Sequence, residues 1–493
     1  MLRMMALAQA YLDRRGTATI VSASCPENIA ERLQREGIAF QMLHLGSSMP
    51  GSASDLNKTV ALGKSLGARW IVLDGYHFDV TYQRALRTAG FRVLTADDYG
   101  HCEVWAADAV LNQNIFAPEL AYRSEVAHCR FLLGTRFALL RREFRTAADS
   151  TASSSVASGS ISTQPIRRLL ITLGGADEHN VTGRLLEILN SLSESRLKIK
   201  VLVGASNPHH VMLERTVAAS LHAVELHRNV TDMPPLYEWA EGVISAGGST
   251  CWEWLLYQKR AAVVCLAENQ RPVVASLAKR ELALDLGWQA DLERRATSDL
   301  LQNWLKRQSA APIIRSEEIV DALGTERVAS LLDESRVYLR AARSYDARLW
   351  FEWANDPVVR ANGFFPETIA WETHAKWFEY NRKFEGSRLW LGFNLKEEAL
   401  GYVRLHNRSR NEWEIGVAVS STQRGRGMGR RLVELALRKF CCEQTTNSIP
   451  PIVVARIKPA NIASLKLFQS AGFQEDCARR TSDSCLLTFK LAK

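Results

Sequence analysis

No stretch of this 493-residue chain resembles a membrane span. The opening residues, MLRMMALAQAYLDRRG, are apolar at first sight. Gln9, Asp13, Arg14 and Arg15 interrupt them within one signal-peptide length, however, and no small-residue cleavage site follows. Leu2, Met5, Ala8 and Leu12 instead trace one face of a helix. The nine cysteines are odd in number and scattered, with no CxxC pair, and the neighbours Cys441 and Cys442 are poorly suited to a disulfide. All nine read as reduced thiols, no metal site is expected, and His209-His210 reads as a solvated turn. The formal charge is +9, yet no run of five or more Lys/Arg occurs, nor any basic-aromatic interleaving that would stack bases. Nucleic acid and membrane are therefore not expected partners. The charge fits phosphate-bearing small ligands, and the expected location is the cytoplasm. No short internal repeat is present. The composition, 46% hydrophobic and 23% charged, is that of folded globular protein. At roughly 100–200 residues per domain, the length implies about three units. The oligomeric state is not legible.

Residues 17–112 alternate strand-like and helix-like runs, the pattern of βαβ units and a parallel sheet. Thr19-Ile20-Val21, Phe40 to Leu43, Trp70 to Leu73 and Phe91 to Leu94 read as strands, with helices over Leu56–Leu66 and Tyr82–Ala89. Residues 146–165 hold AADSTASSSVASGSIST, which lacks periodicity and is expected to be a flexible linker. Alternation then restarts. Leu169 to Leu173 is a strand, Asn180 is expected to cap a helix to about Leu192, and further strands are predicted at Ile199–Val203, Ala223–Leu226, Val243–Ser245 and Ala261–Leu266. A third pattern begins near residue 335. It has aromatic helices around Trp350 and Trp377, then an antiparallel run through Leu389–Phe393, Gly401–Leu405 and Trp413–Val419. The expected architecture is α/β: two Rossmann-like halves (1–145 and 166–332) followed by an α+β domain (335–493).

Two glycine-rich loops carry the chemistry. The strand Trp413–Val419, containing Val417 and Val419, feeds Gln423-Arg424-Gly425-Arg426-Gly427-Met428-Gly429, which opens a helix from Arg430 to Phe440. A strand, a glycine turn and a helix N-terminus make a diphosphate cradle: glycines admit close approach, free N–H groups point outward and the helix dipole favours an anion. Arg424 and Arg426 add charge. The second loop, Gly247-Gly248-Ser249-Thr250, follows a strand and opens the helix Cys251–Gln258. Glu253 stands one turn in, where a carboxylate can take both hydroxyls of a ribose. Ala267-Glu268-Asn269-Gln270 follows the next strand.

The segment Arg424-x-x-Gly427-x-Gly429, with the strand Ile452–Ile457 and then Asn461…Gly472-Phe473, resembles the GNAT family of N-acetyltransferases over Val337–Lys493. Arg360, His374 and Trp377 look like the sugar-nucleotide members of that family. The resemblance implies acetyl-CoA as cosubstrate, held by Val417, Val419, Arg424 to Gly427, Gly429 and Asn461, with an amine attacking the thioester. That amine must be neutral, so a base or a water chain should take its proton. Glu414 is the best-placed candidate base. Many relatives have a tyrosine hydroxyl to protonate the leaving thiolate where this chain has Phe468; here water does that work or the thiol leaves as thiolate.

The first ~330 residues resemble the GT-B superfamily and, more closely, the UDP-sugar hydrolases of pseudaminic acid biosynthesis. The matching stretches are Leu73-Asp74-Gly75-Tyr76, Asp97-Asp98, Leu111 to Asn114, Leu132-Leu133-Gly134, Leu139-Leu140-Arg141, Leu173 to Asp177 and the loops through Gln270. The resemblance implies that Gly247, Gly248, Ser249, Thr250, Glu253, Asn269 and Gln270 hold UDP, while Tyr76 and Asn269 act at the sugar-phosphate end. It further implies that the chain acetylates N4 of a UDP-4-amino-4,6-dideoxy sugar and removes UDP by water attack at C1. Relatives open on a strand and a G-x-G-H-x-x-R turn whose His is their base. Here only the Arg of that motif, Arg3, finds a match. The first strand, the glycines and that His would lie before Met1, which leaves two explanations open: the true start is upstream, or the domain has decayed to a binding module. His77 is the nearest substitute, and the chain as written is expected to lack hydrolysis. Two alternatives stay open: fusion to a spore-coat-type GT-B glycosyltransferase, or to a catalytically dead UDP-sugar-binding module.

Overall fold

The computed structural model describes residues 1–153, 165–175, 177–192, 196–204, 206–228, 230–292, 295–306, 319–409, 411–444, 451–479, 481 and 483–490. It divides into two compact units. One comprises 1–9, 18–148 and the described part of 158–328; the other comprises 10–17, 149–153 and the described part of 329–493.

The first unit is mixed α/β with parallel sheets. Strands β1 (Thr19–Ser22) and β2 (Ala39–Met42) pair with each other. Strands β3 (Trp70–Asp74), β4 (Arg92–Ala96), β5 (Ala109–Asn112) and β6 (Arg130–Leu133) form a separate parallel sheet in that order. Among the described residues, β1 pairs only with β2 and β3 only with β4. Strands β7 (Arg168–Thr172), β8 (Lys198–Val203), β9 (Ala223–Arg228), β10 (Gly242–Ala246), β11 (Arg260–Cys265) and β12 (Leu284–Trp288) make a six-stranded sheet ordered β12-β11-β10-β7-β8-β9. This is the doubly wound order, in which the chain reverses direction across the sheet between β7 and β10 and leaves a crevice at their carboxyl ends. β10 is buried along its whole length and β7 beyond its first residue, as a sheet covered on both faces requires.

Three local expectations change. Asn180 stands at the N-cap of the helix Val181–Ser191, but its side chain makes no capping bond; its own φ is +51°. Asp177 does the capping, accepting from the backbone N–H groups of Val181 (2.7 Å) and Thr182 (3.0 Å). A carboxylate also suits the positive end of the helix better than an amide does. The stretch expected to be a linker begins as helix: Arg142–Ser153 is one continuous element. Alanine favours continuation once a turn is formed. Its remainder, 154–164, lies outside the described residues, as does Ala176. The N-terminal helix, Leu2–Asp13, buries Met5 to Ala10 on every side while Leu2 is 45% exposed, so the expected stripe is not its buried face.

The second unit is built on a sheet ordered β13-β14-β15-β16-β17-β19-β18. Its strands are β13 (Val337–Ala341), β14 (Ser387–Asn394), β15 (Ala399–Ser409), β16 (Glu412–Val419), β17 (Ile452–Ile457), β18 (Gln474–Glu475) and β19 (Cys485–Lys490). All neighbours are antiparallel except β16 and β17. The helix Met428–Glu443 packs Leu432, Val433, Ala436 and Phe440 into the core with Trp413 and Ile415. Arg14 is almost wholly buried in this unit. It donates to Asp333 (2.7 Å), Ser335 (2.6 Å) and the carbonyl of Val337 (2.9 Å). No helix among the described residues is long and apolar enough to cross a membrane.

Candidate functional sites

In the second unit, β16 and β17 pair only over Glu412–Glu414 and Ile452–Val454. Beyond Glu414 the strands part, and β16 continues to Val419 paired on its β15 side alone. The backbone N–H and C=O groups along that open edge need partners. The same strand then runs into the glycine loop. Gly425 and Gly427 adopt φ of +75° and +74°, a left-handed conformation costly for residues with a Cβ. Gly429 is needed for another reason: a Cβ there would lie 2.4 Å from Leu467 Cδ1. An open strand edge that ends in a turn and a helix N-terminus fits an elongated ligand with an anionic end.

Side chains from the expected set are placed as follows. Val417 and Val419 pack against the core. Arg424 donates to the Val419 carbonyl (3.2 Å) and pairs with Asp356 (2.8 Å). Arg426 lies on the exposed loop. Asn461 caps the helix Ile462–Ser470 by accepting from Ser464 N (3.1 Å). Glu414 sits at the fork and accepts twice from Arg408, at 3.0 and 2.8 Å. Phe468 is buried against Phe473. His374 is a core residue among Phe351, Trp371 and Phe378, and burial pushes its pKa down. Arg360 bonds the carbonyl of Phe365 (3.2 Å). The partners Arg408 and Asp356 were not legible in the sequence, nor was a chain of hydrogen bonds through Ser387 and His406 beside the fork. The only signal was alternation along β15, which puts Tyr402, Arg404 and His406 on one face.

In the first unit, the expected residues gather at carboxyl ends of parallel strands. Asp74 ends β3, Asp97 and Asp98 follow β4, and Asn114 follows β5. Arg3 bridges Asp74 (2.6 Å) and Asp98 (2.7 Å). Burial would raise the Asp74 pKa, but the Arg3 charge outweighs it and holds this carboxyl low. Tyr76 donates to Asp98 (2.7 Å) and accepts from Asn269 Nδ2 (3.4 Å), so these two expected residues are brought together. Burial and the Asp98 charge raise the Tyr76 pKa, so its hydroxyl keeps its proton. His77 stacks on Phe78. The crevice between β7 and β10 is flanked by Gly174-Gly175 on one side and by Gly247, Gly248, Ser249 and Thr250 on the other. A Cβ on Gly247 would meet Val274 at 2.6 Å and Gln270 at 3.1 Å. Gln270 accepts from Leu266 N (3.0 Å), which fixes the loop carrying Asn269. Glu253 lies one turn into its helix with its carboxylate engaged by Arg141 (3.0 Å) and the Tyr237 hydroxyl (3.1 Å). Burial raises its pKa, against the pull of Arg141. His209 Nε2 meets the Glu178 carbonyl (2.8 Å). Among the described residues, no group of three or more His, Cys, Asp or Glu could hold a metal ion.

Comparison with known proteins identifies two domains. Residues 336–474 match the acetyltransferase (GNAT) domain, and residues 168–311 match the glycosyltransferase family 28 C-terminal domain. The chain thus joins a GNAT acetyltransferase domain to a domain of glycosyltransferase type. An uncharacterized protein of Methanocaldococcus jannaschii is 23% identical over 435 residues, covering 86% of this chain and 84% of that one. Among solved structures, spermidine N-acetyltransferase from Vibrio cholerae, in complex with CoA and spermine, is 17% identical. It covers 32% of this chain and 96% of its own, at a TM-score of 0.28. A putative acetyltransferase from Salmonella typhimurium, solved with acetyl-CoA, is 22% identical, covering 32% and 95%, at a TM-score of 0.27.

Proposed function

We propose that the second unit transfers the acetyl group of acetyl-CoA to the 4-amino group of a UDP-linked 4-amino-4,6-dideoxy sugar, and that the first unit binds such a sugar through UDP in the manner of a hydrolase that removes the nucleotide by water attack at C1, a step expected to be inactive in this chain as given. The observation that carries the acetyl-transfer reading is the fork. An open β16 edge offers backbone partners to the amide-bearing arm of acetyl-CoA, and the loop Gly425–Gly429 at its end offers N–H groups to the diphosphate. Acetyl-CoA supplies an activated acyl group; the chain's part is to hold it along β16 and to bring an amine to the fork. For the nucleotide, support comes from the doubly wound sheet, whose switch point is bordered by Gly247–Thr250 and by Glu253, and from the Tyr76–Asn269 contact. Joining consecutive steps on one chain would raise the local concentration of the intermediate. On this reading the chemistry belongs to nonulosonic acid synthesis, in the cytoplasm.

The match of residues 168–311 to a glycosyltransferase domain supports a second reading, in which the sugar passes to an acceptor other than water. Mass spectrometry of a UDP-4-amino sugar incubated with the purified chain, with and without acetyl-CoA, separates the readings. A 42-dalton gain that needs acetyl-CoA is the expected result on the basis of one acetyl replacing one hydrogen (about 42 Da). Free sugar and UDP mean hydrolysis; release of UDP only with an added sugar acceptor means transfer. No mass gain with any amino-sugar nucleotide would remove the acetyl-transfer reading.

A further inference from the structure

His406 lies on β15 directly opposite Glu414 of β16 and opposite Ser387 of β14. Residues directly opposite on adjacent strands share a face, so all three project on the same side, with Glu414 at the fork, His406 one strand away and Ser387 two. The helix Trp371–Lys383 covers this side, with Trp377 packed edge-on against the His406 ring (6.0 Å between centroids).

A chain of hydrogen bonds fixes the state of that ring. The Trp377 carbonyl can only accept, so the amide nitrogen of Asn381 must face it; Nδ2 lies at 2.9 Å. Asn381 Oδ1 therefore faces Ser387 Oγ (2.9 Å), and the single hydroxyl proton of Ser387 is committed to it. Ser387 Oγ also lies 2.8 Å from His406 Nδ1, where it has only a lone pair left to offer. His406 Nδ1 must then carry the hydrogen, and Nε2 holds the lone pair. Ser387 and Asn381 are themselves more than nine-tenths buried, so the chain is shielded from competing water. Burial, then Arg404, then Arg408 lower the pKa of His406 to about 4, so the ring is neutral at physiological pH. The charged groups facing it are Arg404 on its own strand, Arg408 at the end of that strand and Glu414 across from it, the last two paired with each other.

We infer that His406 Nε2 is the hydrogen acceptor for the attacking amine, and that Ser387 and Asn381 are positioning residues that hold its tautomer. This rests on the acetyl-transfer reading above and names the amine site within it. The neutral amine attacks the thioester carbonyl carbon and a C–N bond forms. An N–H of that adduct is far more acidic than that of the free amine, and its proton passes to Nε2. The C–S bond then breaks with its electron pair on sulfur, and the imidazolium, disfavoured beside two arginines, gives the proton to the thiolate or to water. The products are an amide and CoA thiol, and a weakly basic ring suffices because the donor is the acidic adduct. Glu414, tied to Arg408, acts through charge.

Two experiments decide this. In the full chain with 15N-labelled histidine, His406 is expected at pH 7 as the neutral Nδ1–H tautomer in the nitrogen spectrum. The Nε2–H tautomer or an imidazolium would overturn the inference, whatever the catalytic result. With a UDP-4-amino sugar as acceptor, His406→Phe is expected to lower kcat about 100-fold, the usual scale of general base catalysis, with acetyl-CoA affinity within twofold of wild type. Ser387→Ala should lower kcat about tenfold with little change in KM, as expected when tautomer control is lost without loss of the ring. In His406→Gly, added imidazole should restore part of the rate. A kcat for His406→Phe within threefold of wild type, or loss of acetyl-CoA binding in each His406 variant, would overturn the role. A wild-type chain that acetylates no amine would instead remove the acetyl-transfer reading, while the nitrogen spectrum still tests the ring.

Discussion

His101 shows how far one pair of side chains departs from its ordinary chemistry. Its Nδ1 lies 2.7 Å from Asp97, which is fully buried and also accepts from the Tyr122 hydroxyl and from the backbone of Gly100. Burial opposes charge on the ring, but the bonds to Asp97 and Cys102 outweigh it and raise the pKa from 6.5 to about 9. A histidine with a raised folded-state pKa contributes stability that is complete below its unfolded value and disappears as pH rises through the folded one. The unfolding free energy should therefore fall between about pH 6.5 and 9, by on the order of 3 kcal/mol at 1.36 kcal/mol per pH unit. His101→Gln keeps a donor to Asp97 without a titration, so its urea-derived stability should be level across that window. A slope as steep as wild type would disprove the assignment. Nothing in the sequence announced this pair: Asp97-Asp98 was legible as a strand end, but the four-residue return to His101 has no motif. Tyr76 and Asn269, 193 positions apart, were legible only through resemblance, because strand periodicity does not say which loops converge.

At the scale of elements, alternation disclosed the parallel sheets because buried strands read as short β-branched runs between helical ones. It did not disclose where β16 and β17 part, since both remain extended after their hydrogen bonds end. Helix ends were the other blind spot. Asn180 has the right residue type and position for a cap, yet Asp177 three residues earlier takes the N–H groups of Val181 and Thr182. Asp177→Ala should thus cost about 1–2 kcal/mol, the usual range for a lost N-cap. Asn180→Ala should cost less than that, and Asn180→Gly less still, because glycine adopts the positive φ at that position without strain. Thermal unfolding of the three variants tests the order. Equal losses for Asp177→Ala and Asn180→Ala would return the cap to Asn180. Arg14 makes a parallel case in the second unit, where Asp333, Ser335 and Val337 lie far away in sequence and no local pattern points to them. Removing it leaves Asp333 without this partner, so Arg14→Ala should destabilise by about 2–4 kcal/mol, toward the cost of breaking a buried ion pair.

For the molecule as a whole, the two glycine loops answer to different physics, and that difference makes the two proposed ligands separable. In the loop proposed for acetyl-CoA, Gly427 is required by its φ of +74°, where nothing lies within 4 Å of a Cβ position. A branched side chain there strains the turn that aims the N–H groups, at about 1–2 kcal/mol for the left-handed conformation alone. Gly427→Val should therefore weaken acetyl-CoA binding at least tenfold. In the loop proposed for the nucleotide, Gly247 is required by space, since its Cβ would strike Val274, and the proposed affinity rests on the carboxylate of Glu253. Glu253→Gln removes the charge that would meet ribose hydroxyls, and hydrogen bonds to charged groups contribute about 1.5–3 kcal/mol. Arg141 keeps a carboxylate partner in that variant, because Glu143 lies 2.9 Å from its other nitrogen, so the fold should survive. Calorimetry on the full chain should then show a crossed pattern. Glu253→Gln loses UDP affinity and keeps acetyl-CoA affinity, whereas Gly427→Val does the reverse. Should Glu253→Gln, folded by circular dichroism, bind UDP as wild type does, the carboxylate is occupied by Arg141 and Tyr237 alone and the nucleotide must be held elsewhere. Should either substitution weaken both ligands, the two sites are not independent, and the reading of one chain carrying two separate binding functions fails.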